Sequence, residues 1–304
     1  MSDSGILQQA VKIEKVNRKQ ATHFALCNGN KIRYLIALDG GKKRLSKNIA
    51  TYSGKLSVLM KLLAYIPFSL LKAGKMGYFV RVSLHTAIQE EVQRINCEAW
   101  NMIVGTYDEK QKLVLQCFNK KKLFASFVKI GNEATEKEMR GEMEFLKTEH
   151  HFRTFRIPRL LDCKEISDIC PFNLQMTEEF KGGKVEPKIS EDIVTLYKEL
   201  SEQKKVIDGT ECEFSHGDFA PWNLKRDGLK YVLFDWEHCG YRMKGFDLMH
   251  YATITEMVIN NQSLEMALEN GLLNIKKYIP EFYIDKSEFL HEFSKLRTQI
   301  RDEG

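Results

Sequence analysis

Alternating apolar and polar positions dominate the chain from Trp100 to about residue 180, and a 3.6-residue apolar period dominates much of the remainder. Asn101–Thr106 (NMIVGT) and Lys112–Phe118 (KLVLQCF) flank the turn-rich Tyr107-Asp108-Glu109-Lys110. Leu123–Ile130 (LFASFVKI) comes after the lysine turn Asn119–Lys122, so three antiparallel strands in meander order are predicted. Glu133–Thr148 reads as a helix with Met139, Met143 and Leu146 on one stripe. Phe172–Phe180 (FNLQMTEEF) reads as a strand leading into Lys181-Gly182-Gly183, a natural hinge. Beyond it, Glu191–Lys204, Asp247–Asn260 and Ser263–Tyr278 have helical spacing, and Tyr231–Trp236 (YVLFDW) is an apolar strand closing on Asp235. Ahead of Trp100, Lys31–Leu38 reads as a strand ending in an Asp39-Gly40-Gly41 turn. Leu56, Leu59, Leu63, Ile66 and Leu70 fall near helical spacing, kinked or divided at Pro67.

Charge changes this picture more than bulk composition does. The 304 residues carry a formal net charge of +5, but residues 1–95 hold 16 Lys/Arg against 5 Asp/Glu, and residues 96–304 hold 30 against 36. No acidic residue occurs between Asp39 and Glu90, where nine basic ones are interleaved with leucines and aromatics. Such an asymmetry points to an anionic partner or surface. Residues 40–89 are therefore read either as a short helical pair packed on the main domain or as a peripheral contact with an anionic membrane. Nucleic acid is not expected, because no nucleic-acid motif accompanies the charge. The longest apolar run, Leu62–Leu71, is half of a bilayer-spanning length, and the first residues lack the plan of a secretory signal. The 7 cysteines are scattered without a C-x-x-C pair, which argues against a disulfide framework or a zinc site and for a reducing, cytoplasmic setting.

The densest chemical signal is Phe214-Ser215-His216-Gly217-Asp218-Phe219-Ala220-Pro221-Trp222-Asn223-Leu224, followed by the strand that ends at Asp235. Two acids and an amide thus reach loop ends close together in sequence. Upstream, Lys129 stands between Val128 and Ile130 in the third meander strand, and Glu142 lies beside the apolar stripe of the next helix. Phosphoryl transfer asks for such a set: a positioned hydroxyl, neutralised phosphate charge and hard oxygen ligands for a divalent cation.

H-G-D-x-x-x-x-N, an apolar strand and D-W-E, with Gly245-Phe246-Asp247-Leu248 downstream, resembles the aminoglycoside phosphotransferase and choline kinase group of the protein-kinase-like superfamily. The match covers about residues 96–304. The resemblance implies an α+β, bilobal fold: a basic extension over residues 1–95, an antiparallel-sheet N-lobe over 96–180 and a mostly helical C-lobe over 181–304. It implies Asp218 as catalytic carboxylate, His216 as a brace of the loop, and Asn223 and Asp235 as Mg²⁺ ligands. Lys129, paired with Glu142 (or with the neighbouring Glu138), would reach the phosphates of ATP. The Gly105-to-Lys112 turn, with Gly105 and Thr106, would cover them, and the Met176–Phe180 segment, with Glu178 and Phe180, would present backbone groups to the adenine. Asp247 would tie the catalytic loop down, and Trp236 and Glu237 would line the cleft.

The implied reaction is ATP- and Mg²⁺-dependent phosphorylation of a small-molecule hydroxyl. The acceptor suggested by the basic extension is a sugar or glycolipid, with an aminoglycoside-type antibiotic kinase and a nucleotide-binding scaffold as alternatives. Two departures stand out. The turn Gly105-Thr106-Tyr107-Asp108-Glu109-Lys110 carries one glycine where protein kinases have three, and no activation-loop signature is present.

Overall fold

The computed structural model describes residues 6–41, 65–119, 124–166, 172–178 and 183–301. Nine strands form one antiparallel sheet: β1 (Val11–Lys15), β2 (His23–Asn28), β3 (Lys31–Ala37), β4 (Gly77–Leu84), β5 (Ala99–Val104), β6 (Leu113–Phe118) and β7 (Phe124–Gly131). The short β8 (Phe155–Arg156) pairs elsewhere, and β9 (Leu160–Ile166) and β10 (Phe172–Thr177) complete the nine. Their spatial order is β1-β4-β2-β3-β5-β6-β7-β10-β9. The meander predicted between residues 101 and 130 is β5-β6-β7, with one register shift between Cys117 and Phe118 in the β6–β7 pair.

The period-2 pleat sorts each strand into two faces. Leu113 and Leu115 of β6, Val128 and Ile130 of β7, and Leu174 and Met176 of β10 are fully buried on one face. They share a core with Ile6 and Leu7 of α1 (Ile6–Ala10). On the other face Phe24, Ile36 and Phe79 cluster with Leu71 of α2 (Phe68–Ala73). Helix α3 (Thr86–Arg94) returns Ile88 and Val92 to the first core.

The sheet runs through residue 95 without a break. Where the charge division separates an extension from a lobe, β3 hydrogen-bonds to β5, with Tyr34 opposite Ile103 and Leu35 opposite Met102. Asn101, wholly buried, reinforces this short pairing. Its Oδ1 accepts from the Ala37 N–H at 3.0 Å, and its Nδ2 donates to the Gly41 carbonyl at 3.0 Å and to Gln116 Oε1 at 2.9 Å. The Tyr107 hydroxyl adds a bond to the Ile32 carbonyl at 2.9 Å. The basic residues of β1, β3 and β4 take outward positions of the pleat: Lys12, Lys31 and Arg81 are exposed, while Val11, Ile32, Val80 and Val82 are buried. Of the basic, apolar stretch, residues 42–64 lie outside the described residues. The described remainder is α2, β4 and α3, packed on the sheet. Among the described residues no helix is long and apolar enough to cross a membrane.

Behind the sheet, α4 (Glu136–Lys147) packs against β9 and β10. The C-terminal part holds α5 (Glu191–Leu200), capped by Ser190, then β12 (Lys204–Ile207) and β13 (Thr210–Ser215). The helix predicted to reach Lys204 thus stops at Leu200, and the chain turns into a hairpin. β11 (Gly183–Lys184), β14 (Leu224–Asp227) and β15 (Lys230–Leu233) join β8 in a four-stranded sheet, and β16 (Gly240–Met243) pairs with β13. Helix α6 (Phe246–Val258) buries eleven of its residues, as a helix does at the centre of a lobe. Helices α7 (Leu264–Lys276) and α8 (Lys286–Arg301) come last, α7 packing against α6.

Two measurements test this joint. Asn101→Ala strips the Ala37 N–H and the Gly41 carbonyl of their buried partner and should cost about 3 kcal/mol in urea unfolding; an unchanged midpoint would show that backbone pairing alone holds β3 to β5. His23 stacks on Trp100 with ring centroids 4.3 Å apart and its Nε2 3.0 Å from the Trp100 carbonyl, and burial pushes its pKa down to about 4. The unfolded chain takes up this proton first, so the contribution is full above about pH 6.5 and is lost as pH falls toward 4. The difference in unfolding free energy between wild type and His23→Gln should therefore shrink on acidification, by at most about 1.4 kcal/mol per pH unit.

Candidate active site

The H-G-D-x-x-x-x-N segment leaves β13 as a loop that Asp247 holds from the first turn of α6. Asp247 Oδ1 accepts from Ser215 Oγ at 2.7 Å and from the Gly217 N–H at 3.1 Å, and Oδ2 accepts from the His216 N–H at 2.7 Å. Placing this carboxylate at a helix start adds the favourable end of the helix dipole. Gly217 has φ +84°, and a Cβ there would sit 2.1 Å from the His238 carbonyl oxygen, so no other residue fits. His216 is fully buried; its Nδ1 accepts from the Asp218 N–H at 3.3 Å and its Nε2 donates to the Phe234 carbonyl at 3.1 Å. Burial pushes its pKa down to about 3, which keeps the ring neutral. A neutral imidazole with both nitrogens engaged braces the loop.

That neighbour, Asp218, accepts from Asn223 Nδ2 at 2.7 Å, and the same amide also donates to the Asp218 carbonyl at 2.9 Å. Burial, seconded by the charge on Asp235, raises the Asp218 pKa to about 6. His250 from α6 stands 3.7 Å from its other oxygen. The Phe234 N–H donates to the Asn223 carbonyl at 3.1 Å, which couples the catalytic loop to the end of β15. There Asp235 takes φ 71°, a left-handed conformation that Asp tolerates better than most residues.

Asp235 meets the sheet through Lys129. The Lys129 ammonium lies 2.6 Å from Glu142 Oε2 on α4, 2.6 Å from Asp235 Oδ1 and 3.2 Å from Glu237 Oε2. Alternation explains why a lysine sits in so apolar a strand. Val128 and Ile130 fill the core face, and Lys129 emerges on the opposite face, toward the cleft. Burial opposes its charge, but the surrounding carboxylates, Asp235 first, hold its pKa well above the ordinary lysine range. Glu142 is itself locked, its Oε1 accepting from the Trp236 N–H at 3.1 Å. Trp236 borders the cleft but is fully buried, stacked on Phe145 at 4.4 Å.

A second lysine, Lys112, enters the same cluster. Its ammonium is 2.8 Å from Glu237 Oε2 and 2.7 Å from Glu138 Oε2, and Lys110 takes Glu138 Oε1 at 2.8 Å. Glu138 is thereby assigned to the hairpin lysines and Glu142 to Lys129. Burial alone would raise the Glu237 carboxyl; Lys129 and Lys112 instead hold it far below the usual carboxylate range. Sequence patterning does not single out Lys112 or Glu138 for this role. The one available signal is that Lys112 and Val114 share a strand face, as Phe127 and Lys129 do across the pair.

These groups close one end of a cleft of about 300 Å³. Ile103, Val114, Phe127, Leu146, Pro158 and Phe234 form its apolar walls, with Gln175 and Thr177 of β10 and Lys225 of β14 completing the lining. A slot of this size and polarity accepts a flat heteroaromatic ring, with charged groups at one end for a polar tail. Gly105 lines the cleft, and Thr106 does not. Glu178 points away from it: its carboxylate pairs with Arg156 at 2.9 Å, and its N–H donates to the Arg159 carbonyl at 3.0 Å. Phe180 lies outside the described residues, as do Lys181 and Gly182 of the expected hinge.

Oxygens of Glu142, Asp235 and Glu237 all lie within 4.8 Å of one another. Hard oxygen donors carrying net negative charge suit Mg²⁺. Asn223 fits beside them, since its Nδ2 is engaged with Asp218 and its Oδ1 remains as a ligand atom.

No family model and no curated protein matches the chain. Solved structures do. Aminoglycoside-3'-phosphotransferase of type VIII is 12% identical with a TM-score of 0.45, over 68% of this chain and 97% of that one. The amicoumacin kinase hAmiN, in complex with AMP-PNP, Ca²⁺ and Ami, is 14% identical with a TM-score of 0.43, over 72% and 86%. APH(2")-IIa in its streptomycin–ATP ternary complex is 12% identical with a TM-score of 0.41, over 66% and 92%. The chain is similar to these small-molecule kinases at a distance.

Proposed function

We propose that the protein is an ATP- and Mg²⁺-dependent phosphotransferase acting on a hydroxyl of a small molecule. The observation that carries the reading is the meeting, beside one apolar cleft, of the Lys129–Glu142 pair, Asp235 and the Asp218–Asn223 pair. The adenine occupies the slot between Ile103, Val114 and Phe127 on one side and Phe234 on the other, and the triphosphate extends toward Lys129. Lys129 exchanges carboxylate oxygens for phosphate oxygens, with Glu142 keeping its ammonium in place. Mg²⁺, held by Asp235 and Asn223 when bound, neutralises phosphate charge.

Asp218 does the proton work. With a pKa near 6 it is ionised at neutral pH and still basic enough to accept a proton from a hydroxyl. The acceptor oxygen bonds to the γ-phosphorus, the bond from that phosphorus to the β–γ bridging oxygen breaks, and ADP leaves with the electron pair. The hydroxyl proton passes to Asp218. Asn223 and the Asp247 brackets fix the carboxylate, so the loop does not reorganise during the step.

The case for a sugar or glycolipid acceptor rests on a basic, apolar extension beside the catalytic part. Residues 42–64 of that stretch lie outside the described residues and β1 to β4 join the main sheet, so the acceptor is proposed only as a hydroxyl compound. A scaffold without catalysis fits less well, because it gives Asp218 and its Asn223 partner nothing to do.

The test is ADP formation from Mg-ATP across sugars, choline, aminoglycosides and lipid-linked sugars. At least one acceptor should be turned over, and a chelator should abolish the reaction. Asp218→Asn should lower kcat by about 10² or more while ATP still binds. Lys129→Met should raise the ATP requirement as well. A wild-type protein that binds Mg-ATP but turns over no acceptor, with cellular function unchanged in Asp218→Asn, would overturn the enzymatic reading in favour of the scaffold.

A further inference from the structure

The hairpin between β5 and β6 is poorly made for holding phosphate through its backbone. In glycine-rich phosphate loops, free N–H groups point at the anion. Here the N–H of Gly105 donates to the Lys112 carbonyl at 2.9 Å, that of Asp108 to Thr106 at 3.2 Å, and that of Gln111 to Asp108 at 3.2 Å. A Cβ on Gly105 would lie 2.6 Å from the Lys112 carbonyl oxygen, so this glycine serves the close approach of the two strands. Three of the loop's N–H groups, those of Gly105, Asp108 and Gln111, are thus turned inward, on the loop itself.

The same hairpin delivers a side-chain cation instead. Lys112 is the residue that closes on Gly105, and its ammonium reaches the phosphate end of the cleft. There it touches Glu237 Oε2, the same oxygen that Lys129 touches from the other side. Two ammonium groups on one carboxylate oxygen lie no farther apart than the two contacts end to end, close enough for both to meet oxygens of one polyphosphate chain. Burial works against the Lys112 charge, and the Glu237 and Glu138 carboxylates more than restore it.

Resting on the phosphotransferase reading above, we infer that Lys112 is a second phosphate-contacting lysine. With Lys129 it forms a two-cation clamp that replaces the backbone cradle of a glycine-rich loop. Glu237 is the clamp's spacer. It holds both ammonium groups on one oxygen, and each passes to a phosphate oxygen when the nucleotide enters. Glu138 keeps Lys112 aimed into the cleft from α4, as Glu142 keeps Lys129.

The experiment is calorimetric binding of adenosine, AMP, ADP and ATP to the full-length protein without Mg²⁺, so that no metal ligand enters the comparison. In the wild type, affinity should rise with each added phosphate. Lys112→Met should weaken ADP and ATP by about tenfold or more and leave adenosine unchanged. Lys112→Arg should keep most of the phosphate-dependent gain, and it serves as the folded variant should Lys112→Met fail to fold.

Parallel weakening of adenosine and ATP would reduce Lys112 to a pocket wall and overturn the inference. So would recovery of wild-type ADP affinity in Lys112→Met/Glu237→Gln, which would show that Lys112 only neutralises Glu237. A wild type that binds ATP no better than adenosine also defeats the clamp. Wild-type protein that binds none of the four compounds defeats the functional reading itself, and the clamp with it.

Discussion

The ammonium of Lys129 is shared by three carboxylates that arrive from separate pieces of the chain: Glu142 from α4, and Asp235 and Glu237 from the loop after β15. In a site with little access to water, such a charge is tolerable only when fully paired, and removing one partner of a buried pair costs about 3–5 kcal/mol. The cluster therefore acts as a structural rivet as well as a site. It joins the nine-stranded sheet to the helix behind it and to the lobe that carries the catalytic loop. Trp236 extends the rivet, giving its N–H to Glu142 while its indole fills the aromatic core around Phe145 and Phe155.

That joint dictates the arrangement of the two halves. β7 has to lie inside the sheet, with neighbours on both sides, to hold Lys129 at a fixed height over the cleft. β6 and β10 provide them. β5 would then be an edge, rich in apolar side chains and prone to pair with another chain. β3, β2, β4 and β1 cover that edge, and Asn101 satisfies the backbone groups at the seam. Strands β1 to β4 thus protect the strand system that holds Lys129.

Much of the site is legible in the sequence because its geometry is local. Asp218 and Asn223 are joined across one turn, His216 and Gly217 sit in the same loop, and Asp235 comes within one hairpin of them. Lys129 is legible by its strand, since an alternating pattern forces it to the face opposite Val128 and Ile130. The pairing with Glu142 over Glu138 is not, because both lie beside one apolar stripe and only the hairpin lysines decide between them. The fate of the basic region is hidden for another reason. Net charge counts lysines without saying where they point, and a pleated strand can carry Lys31 and Arg81 to water while Ile32 and Val82 pack. The β3–β5 contact spans more than sixty residues with two register pairs and one buried amide, and no window of sequence contains it.

The ion cluster also explains how so many carboxylates are tolerated at one end of the cleft. Left alone, Asp235 and Glu237 would repel each other and Glu142, since their oxygens converge within 4.8 Å. Lys129 and Lys112 offset two of these three charges from inside the protein. On the phosphotransferase reading proposed above, nucleotide binding would exchange these partners, the ammonium groups passing from carboxylate to phosphate. The apolar walls of the cleft come from β5, β6 and β7 and from Phe234 beside Asp235, so it is lined by the elements that the Lys129–Asp235 contact holds together.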